Sequence, residues 1–312
     1  MVRARRAESS RMGVAFAPGH VTGLFVPQLS GRDPRSRGSI GAGLVLDVGV
    51  RARAHWSPHK PRRLVIRADV PRPLPITTEV ASRLWGNREG RLEVDLVHEL
   101  PIGQGFGMSA AGALATSLAV GAAVDVPRQR CIEVAHLADL LHAGGLGGVS
   151  AILGGGLEIR RSPGVPPWGK VSHTAVGARI LLGTMGAPLP SSHLLSRATF
   201  LARVEVAGIP GLARLLRRPS LANFLTESIT FGDSLALAPP SLRKFLTDMR
   251  GQDIPCLQAM FGRSFVAIPE SRQTRRYLIE ALARRGWPAV EIGVARRGAW
   301  GRRGAVPSPK AF

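Results

Sequence analysis

A mixed α and β protein, built as two domains or as one large α/β unit, is predicted by three observations. The chain has 312 residues, and a domain takes roughly 100–200. Its first third holds several short segments rich in β-branched residues, one of them alternating apolar with acidic. An alanine-rich helical stretch follows, apolar on every face, which suits the middle of a domain rather than its surface.

In chain order, Val14-Ala15-Phe16-Ala17 reads as a short strand that stops at the breaker pair Pro18-Gly19. A polar loop from Gln28 to Ser39 leads into a strand, Leu44 to Val50. Leu64-Val65-Ile66 and Leu92-Glu93-Val94-Asp95-Leu96 are further strands, the second with one wet face. The apolar helix runs from Ser109 to Val124, and a second covers Gln129 to His142. Two glycine runs, Gly144-Gly145-Leu146-Gly147-Gly148 and Gly154-Gly155-Gly156, mark places where the backbone turns tightly or approaches something closely. The proline-bearing segment Ser162 to Lys170 reads as a connector, which divides the chain into residues 1–170 and 171–312. Beyond it a strand at Ala178 to Leu182 precedes helices at Leu194 to Val206, Ser220 to Leu235 and Ser241 to Asp248. A strand at Phe265 to Ile268 and a helix at Ser271 to Arg285 follow. After Glu291 the chain has basic residues and no acids, and its last dozen residues are expected to fray as a basic tail.

Composition narrows the classes. Hydrophobic residues make up 45% of the chain, enough for a proper core, which excludes wholesale disorder. The two cysteines, Cys131 and Cys256, form no CxxC pair, which argues against a zinc module or a disulfide framework and for a reducing, cytoplasmic setting. The basic first dozen residues lack the apolar run of an export signal. Pro101 to Val124 is uncharged and long enough to cross a bilayer, but its glycine-rich first half reads as a loop entering a buried helix, so no membrane partner is expected. Forty-two Lys and Arg against 21 Asp and Glu give a net charge of +21. The basic residues are scattered as pairs, and one tyrosine leaves little for base stacking, so nucleic-acid binding stands only as a third reading.

The most informative stretch is Gly103-Gln104-Gly105-Phe106-Gly107-Met108-Ser109-Ala110-Ala111-Gly112, between a strand and a helix. Glycines let a loop aim several backbone N–H groups at one point, and the helix adds the positive end of its dipole. No Gly-Lys-Ser/Thr follows, and Met108 stands where a Rossmann fingerprint needs glycine. On these residues alone, a phosphate cradle and a tight strand-to-helix turn are both open.

This loop resembles the phosphate-binding motif of the GHMP small-molecule kinases, and Gly105-Phe106-Gly107-Met108-Ser109-Ala110-Ala111 is similar to the variant of the archaeal pantoate kinase family. Ala15-Phe16-Ala17-Pro18-Gly19-His20-Val21-Thr22-Gly23 resembles that superfamily's N-terminal motif, with Gly38-Ser39-Ile40-Gly41-Ala42-Gly43 after it. Met260-Phe261-Gly262-Arg263-Ser264-Phe265-Val266-Ala267 is similar to its short closing glycine motif.

The resemblance implies an α+β, two-lobed GHMP-kinase-like fold, with a ribosomal S5 domain 2-like N-terminal lobe and a ferredoxin-like C-terminal lobe. It implies transfer of the γ-phosphoryl of ATP to the 4-hydroxyl of pantoate, with Mg²⁺ as cofactor and a homodimer as a possible assembly. Nucleotide contacts fall on Gly103, Gly105, Phe106, Gly107, Met108, Ser109, Ala110 and Gly262. Ser109, Asp139 and His20 are the implied catalytic residues, with Ser109 and Asp139 as metal ligands and His20, Thr22 and Ser39 against the substrate. His136, Asp139 and His142 would lie close together on one helix face, which makes a transition-metal site geometrically conceivable, although helix histidines are more often capped or solvated than metal-bound. One departure stands out: where the family reads Gly-Leu-Gly-Asp, with the Asp as base, this chain reads Gly145-Leu146-Gly147-Gly148. Three accounts follow: a kinase working by positioning alone, a base recruited from elsewhere, or a nucleotide-binding relative without activity. A kinase for another small hydroxy acid is a further alternative.

Overall fold

In the computed structural model, residues 9–71, 73–187, 192–260 and 262–304 are described. The N-terminal half is built on one long hairpin. Strand β1 (Arg11–Gln28) pairs antiparallel with β2 (Gly38–Ser57). The turn expected at Pro18-Gly19 is instead a bulge within β1, and a second irregularity follows between Thr22 and Leu24. A proline gives no N–H to the ladder, and a bulge accommodates it while re-aiming the residues that follow. His20 is buried by that turn of the strand.

Next come β3 (Arg63–Ala68), α1 (Pro75–Trp85), β4 (Arg91–His98), α2 (Met108–Val124) and α3 (Arg128–Leu141). A single turn, α4 (Gly148–Ala151), precedes β5 (Leu157–Ser162) and β6 (Lys170–Thr174). Helix α1 starts with proline at its first turn, where the missing N–H is no loss. It lies between the strands expected at residues 64–66 and 92–96, where no element was expected. Helix α2 is buried on all sides between β1, β2, α1 and α3, as its composition requires.

The rest comprises β7 (Arg179–Thr184), α5 (Ser192–Leu195), α6 (Ala198–Arg217), α7 (Leu221–Leu235), α8 (Pro240–Arg250), β8 (Cys256–Gln258), β9 (Ser264–Ala267), α9 (Arg272–Ala283), β10 (Ala289–Gly293) and β11 (Trp300–Gly304). Two sheets result. The larger has the order β11-β1-β2-β4-β3, with β5 paired to β2 and β6 to β5; the smaller has the order β10-β7-β9-β8. Lys170 is the first residue of β6 in the larger sheet, and β11 returns from the far end of the chain to pair with β1. Trp300–Gly304 is therefore an edge strand rather than part of a frayed tail, held by backbone pairing despite Arg302 and Arg303; residues 305–312 lie outside those described. The smaller sheet has its own apolar cluster around Phe245, Phe265 and Leu278, packed under α8 and α9. No helix among the described residues is long and apolar enough to cross a membrane.

Candidate active site

The loop between β4 and α2 carries three glycines in the left-handed region, Gly103, Gly105 and Gly107, at φ 80°, 77° and 70°. Alternating such residues with ordinary ones turns successive N–H groups to the same side. Gly107 caps α2 without a side chain, and the first helical bond is from Ala111 N–H to Gly107 O, 3.0 Å. The amides from Gly105 to Ala110 donate to no carbonyl or side chain among the described residues. These residues line a cavity of about 450 Å³.

The back of the loop is tied down. His20 N–H donates to Phe106 O at 3.0 Å, Gln104 Nε2 donates to Gly186 O at 3.0 Å, and the Ser264 hydroxyl donates to Gln104 O. A Cβ on Gly105 would stand 2.5 Å from Met260 O, and one on Gly262 would collide with Gln104 O. The closing glycine motif thus packs behind the loop, which places Gly262 outside the cavity lining; Phe261 lies outside the described residues.

Loop residues 103 and 105–110 line the cavity together with His20, Thr22, Ser39 and Asp139. Ser109 Oγ–H donates to Asp139 Oδ1 at 2.8 Å across the ends of α2 and α3. Burial pushes the Asp139 carboxyl up to about 7, partly offset by the Ser109 hydrogen bond. Gly144 packs on this pair: a Cβ there would collide with Asp139 Oδ1 and lie 2.5 Å from Ser109 Oγ. The conceivable transition-metal site does not form: the described residues hold no group of three His, Cys, Asp or Glu side chains suited to a metal. His136 instead bonds Arg37 O at 3.0 Å, and its burial lowers its pKa to about 4.

On the opposite wall His20 Nε2 lies 2.9 Å from Glu158 Oε1, and the same Oε1 accepts from Arg160 Nη1. Glu158 and Arg160 are 0% and 2% exposed. Burial chiefly lowers the His20 pKa, although Glu158 opposes this, so the ring is neutral at pH 7. A carboxylate only accepts, so Nε2 carries the ring proton and Nδ1 keeps a lone pair, 3.4 Å from the Thr22 hydroxyl. Arg160 lines the cavity, and its Nε has no acceptor among the described residues. A Cβ on Gly147 would lie 2.6 Å from Ser39 Oγ and 2.7 Å from Arg160 Nε, which places these two groups side by side. Sequence reasoning missed Glu158 and Arg160. The signal was two charges on a short alternating strand, where a solvated face is the ordinary reading.

No family model matches the chain. Individual proteins do. A pantoate kinase of Thermococcus kodakarensis is 30% identical over 270 residues, covering 84% of this chain and 89% of that one. The chain belongs to the pantoate kinase family. A pantoate kinase of Methanospirillum hungatei agrees, 29% identical over 265 residues with 83% and 88% covered. A solved structure described as a phosphotransferase related to the CoA biosynthesis pathway superposes with a TM-score of 0.83 at 27% identity, over 93% of this chain and 98% of that one. A mevalonate-3-kinase of Thermoplasma acidophilum shares the fold at a TM-score of 0.67 and 11% identity, over 95% and 100%. The family therefore brings with it the α+β fold of the GHMP kinases, as its three motifs imply.

Proposed function

We propose that the protein transfers the γ-phosphoryl group of ATP to the 4-hydroxyl of pantoate, giving 4-phosphopantoate. One observation carries this reading: a row of unpaired amides from Gly105 to Ala110 opens onto a cavity whose far wall holds the buried guanidinium of Arg160. Phosphoryl transfer asks a protein mainly to align two reactants and to surround the transferring group with positive charge. The amides and the start of α2 do this for the nucleotide phosphates. Arg160, with its planar fork, takes the pantoate carboxylate, and Ser39 and Thr22 contact the substrate hydroxyls.

Ser109 and Asp139 are hard oxygen donors, and two such ligands are what Mg²⁺ usually takes from protein when phosphates and water complete its shell. We assign them to that ion, which when bound neutralises charge on the β- and γ-phosphates. Their mutual hydrogen bond holds both oxygens in place, and Gly144 packs so close that a Cβ there would collide with them. The buried free thiols Cys131 and Cys256 suit the reducing cytoplasm in which we place the protein.

The test is ADP release by the purified protein with pantoate, run beside mevalonate, homoserine and shikimate. Turnover on pantoate is expected. Turnover on another acceptor alone would move the substrate, and silence on all four with intact ADP binding would favour a nucleotide-binding relative without activity.

A further inference from the structure

A phosphoryl acceptor hydroxyl must lose its proton, and Gly148, which faces the cavity, has no side chain to take it. Asp139 Oδ1 accepts from the Ser109 hydroxyl, and the reading above assigns its carboxylate to Mg²⁺. Two other histidines line the cavity. His98 gives its Nδ1 to Asp69 Oδ1 at 2.8 Å and stands beside Thr77 and the second turn of α2 at Gly112. His142 follows the end of α3, and its Nε2 has no hydrogen-bond partner among the described residues.

His20 is placed differently. Its backbone N–H is bonded to Phe106 of the phosphate loop, and its ring shares the Glu158 oxygen with Arg160. It is thus tethered on one side to where the nucleotide phosphates bind and on the other to where the substrate carboxylate binds. Donor and acceptor meet between those two points. The ring is fixed by its neighbours: a Cβ on Gly43 would collide with Nε2. The charged and titratable groups that face it are Glu158 and Arg160 from β5 and His173 from β6. Gly43 of β2 packs on the ring, and Gly107 of the loop packs on the His20 backbone and Cβ.

We infer that His20 and Glu158 form the proton acceptor of the reaction, with Nδ1 of His20 taking the proton of the substrate hydroxyl while Glu158 holds the other ring nitrogen. This rests on the kinase reading above. The hydroxyl oxygen bonds to the γ-phosphorus, the bond from that phosphorus to the β,γ-bridging oxygen breaks, and ADP leaves with that oxygen. The proton passes to Nδ1, and the imidazolium so formed is stabilised by the Glu158 carboxylate until solvent takes the proton on product release. The lowered pKa of His20 keeps it unprotonated, and therefore ready, at neutral pH.

The experiment measures kcat against pH at saturating ATP and pantoate, with ADP affinity as the check on folding, for wild type, His20→Gln and Glu158→Gln. Glutamine at position 20 keeps a donor toward Glu158 and removes the acceptor at Nδ1. The expected result is a loss of about 10²–10⁴-fold in kcat, unchanged ADP affinity, and disappearance of the acidic limb of the profile. Glu158 raises the His20 pKa, so Glu158→Gln moves that limb to lower pH; if His20→Gln does not fold, this shift decides alone. The inference is overturned if His20→Gln keeps kcat within about fivefold, or if the limb stays where it is in both variants, which would assign it to Asp139. A wild-type enzyme that binds ADP but turns over no pantoate contradicts the kinase reading itself, and the dyad with it.

Discussion

Ser109 Oγ stands 2.8 Å from Asp139 Oδ1, joining the first turn of α2 to the last turn of α3, and Gly144 closes over both. Ser109→Ala removes one oxygen donor and frees the carboxylate. It should lower kcat/KM by about 10²-fold or more. Gly144→Ala carries no reactive group away, yet its methyl displaces the same two oxygens, so steady-state kinetics should show a loss of similar size. Wild-type rates in Gly144→Ala would show that the spacing of this pair is unimportant.

The same carboxylate sets a pH dependence. Its pKa in the fold is about 7 against an ordinary value of 3.8. Between those two values the folded chain keeps a proton that the unfolded chain has lost, so stability falls as pH rises through that window. Asp139→Asn should therefore raise the melting temperature by several degrees at about pH 8 and leave it unchanged at about pH 4, while abolishing turnover. Mg²⁺ favours the ionised carboxylate. Adding it should recover part of the wild-type melting temperature at high pH and do nothing for Asp139→Asn; thermal denaturation with and without the ion reads both.

Arg160 offers a planar fork that is itself almost fully buried at the edge of the cavity. A charge-assisted hydrogen bond is worth roughly 1.5–3 kcal/mol, so Arg160→Lys, which keeps the charge but loses the fork, should raise the KM for pantoate about 10- to 100-fold and spare that for ATP. Equal effects on both constants would show that the residue only holds Glu158.

Gly148 has a steric reason to stay glycine. A Cβ there would stand 2.6 Å from the Cβ of Ala110, closer than two carbons can sit. Gly148→Asp should destabilise the protein by about 1–3 kcal/mol through overpacking, with no gain in rate. Combining it with Ala110→Gly should recover most of that in a denaturant titration, less about 1 kcal/mol for glycine inside a helix.

The legibility of this chain follows from how local each feature is. The glycine loop and the buried helix after it were readable because their residues are contiguous, whereas Ser109 and Asp139 were named from the family resemblance. Gly103, Gly105 and Gly107 do take the left-handed conformation that glycine alone adopts freely. On the wall opposite, where His20, Thr22 and Ser39 were named, Glu158 and Arg160 were not readable. His20 meets Glu158 across 138 residues, and Glu158 and Arg160 sit on a strand whose alternation suggests a wet face, whereas both faces are buried. Pro18-Gly19 looked like a turn and is a bulge inside a strand, because a long antiparallel partner holds the backbone extended on either side. Trp300–Gly304 looked like a tail because edge pairing with β1 comes from main-chain groups, about which five largely polar or small residues say nothing.

The central claim is that the amides of Gly105 to Ala110 receive the phosphates of a nucleotide. Its most direct test is a crystal structure with bound ADP. The account predicts the β-phosphate oxygens within about 3 Å of those N–H groups, with Ser109 and Asp139 beside them. A β-phosphate seated elsewhere, with the loop amides turned to water, would contradict it.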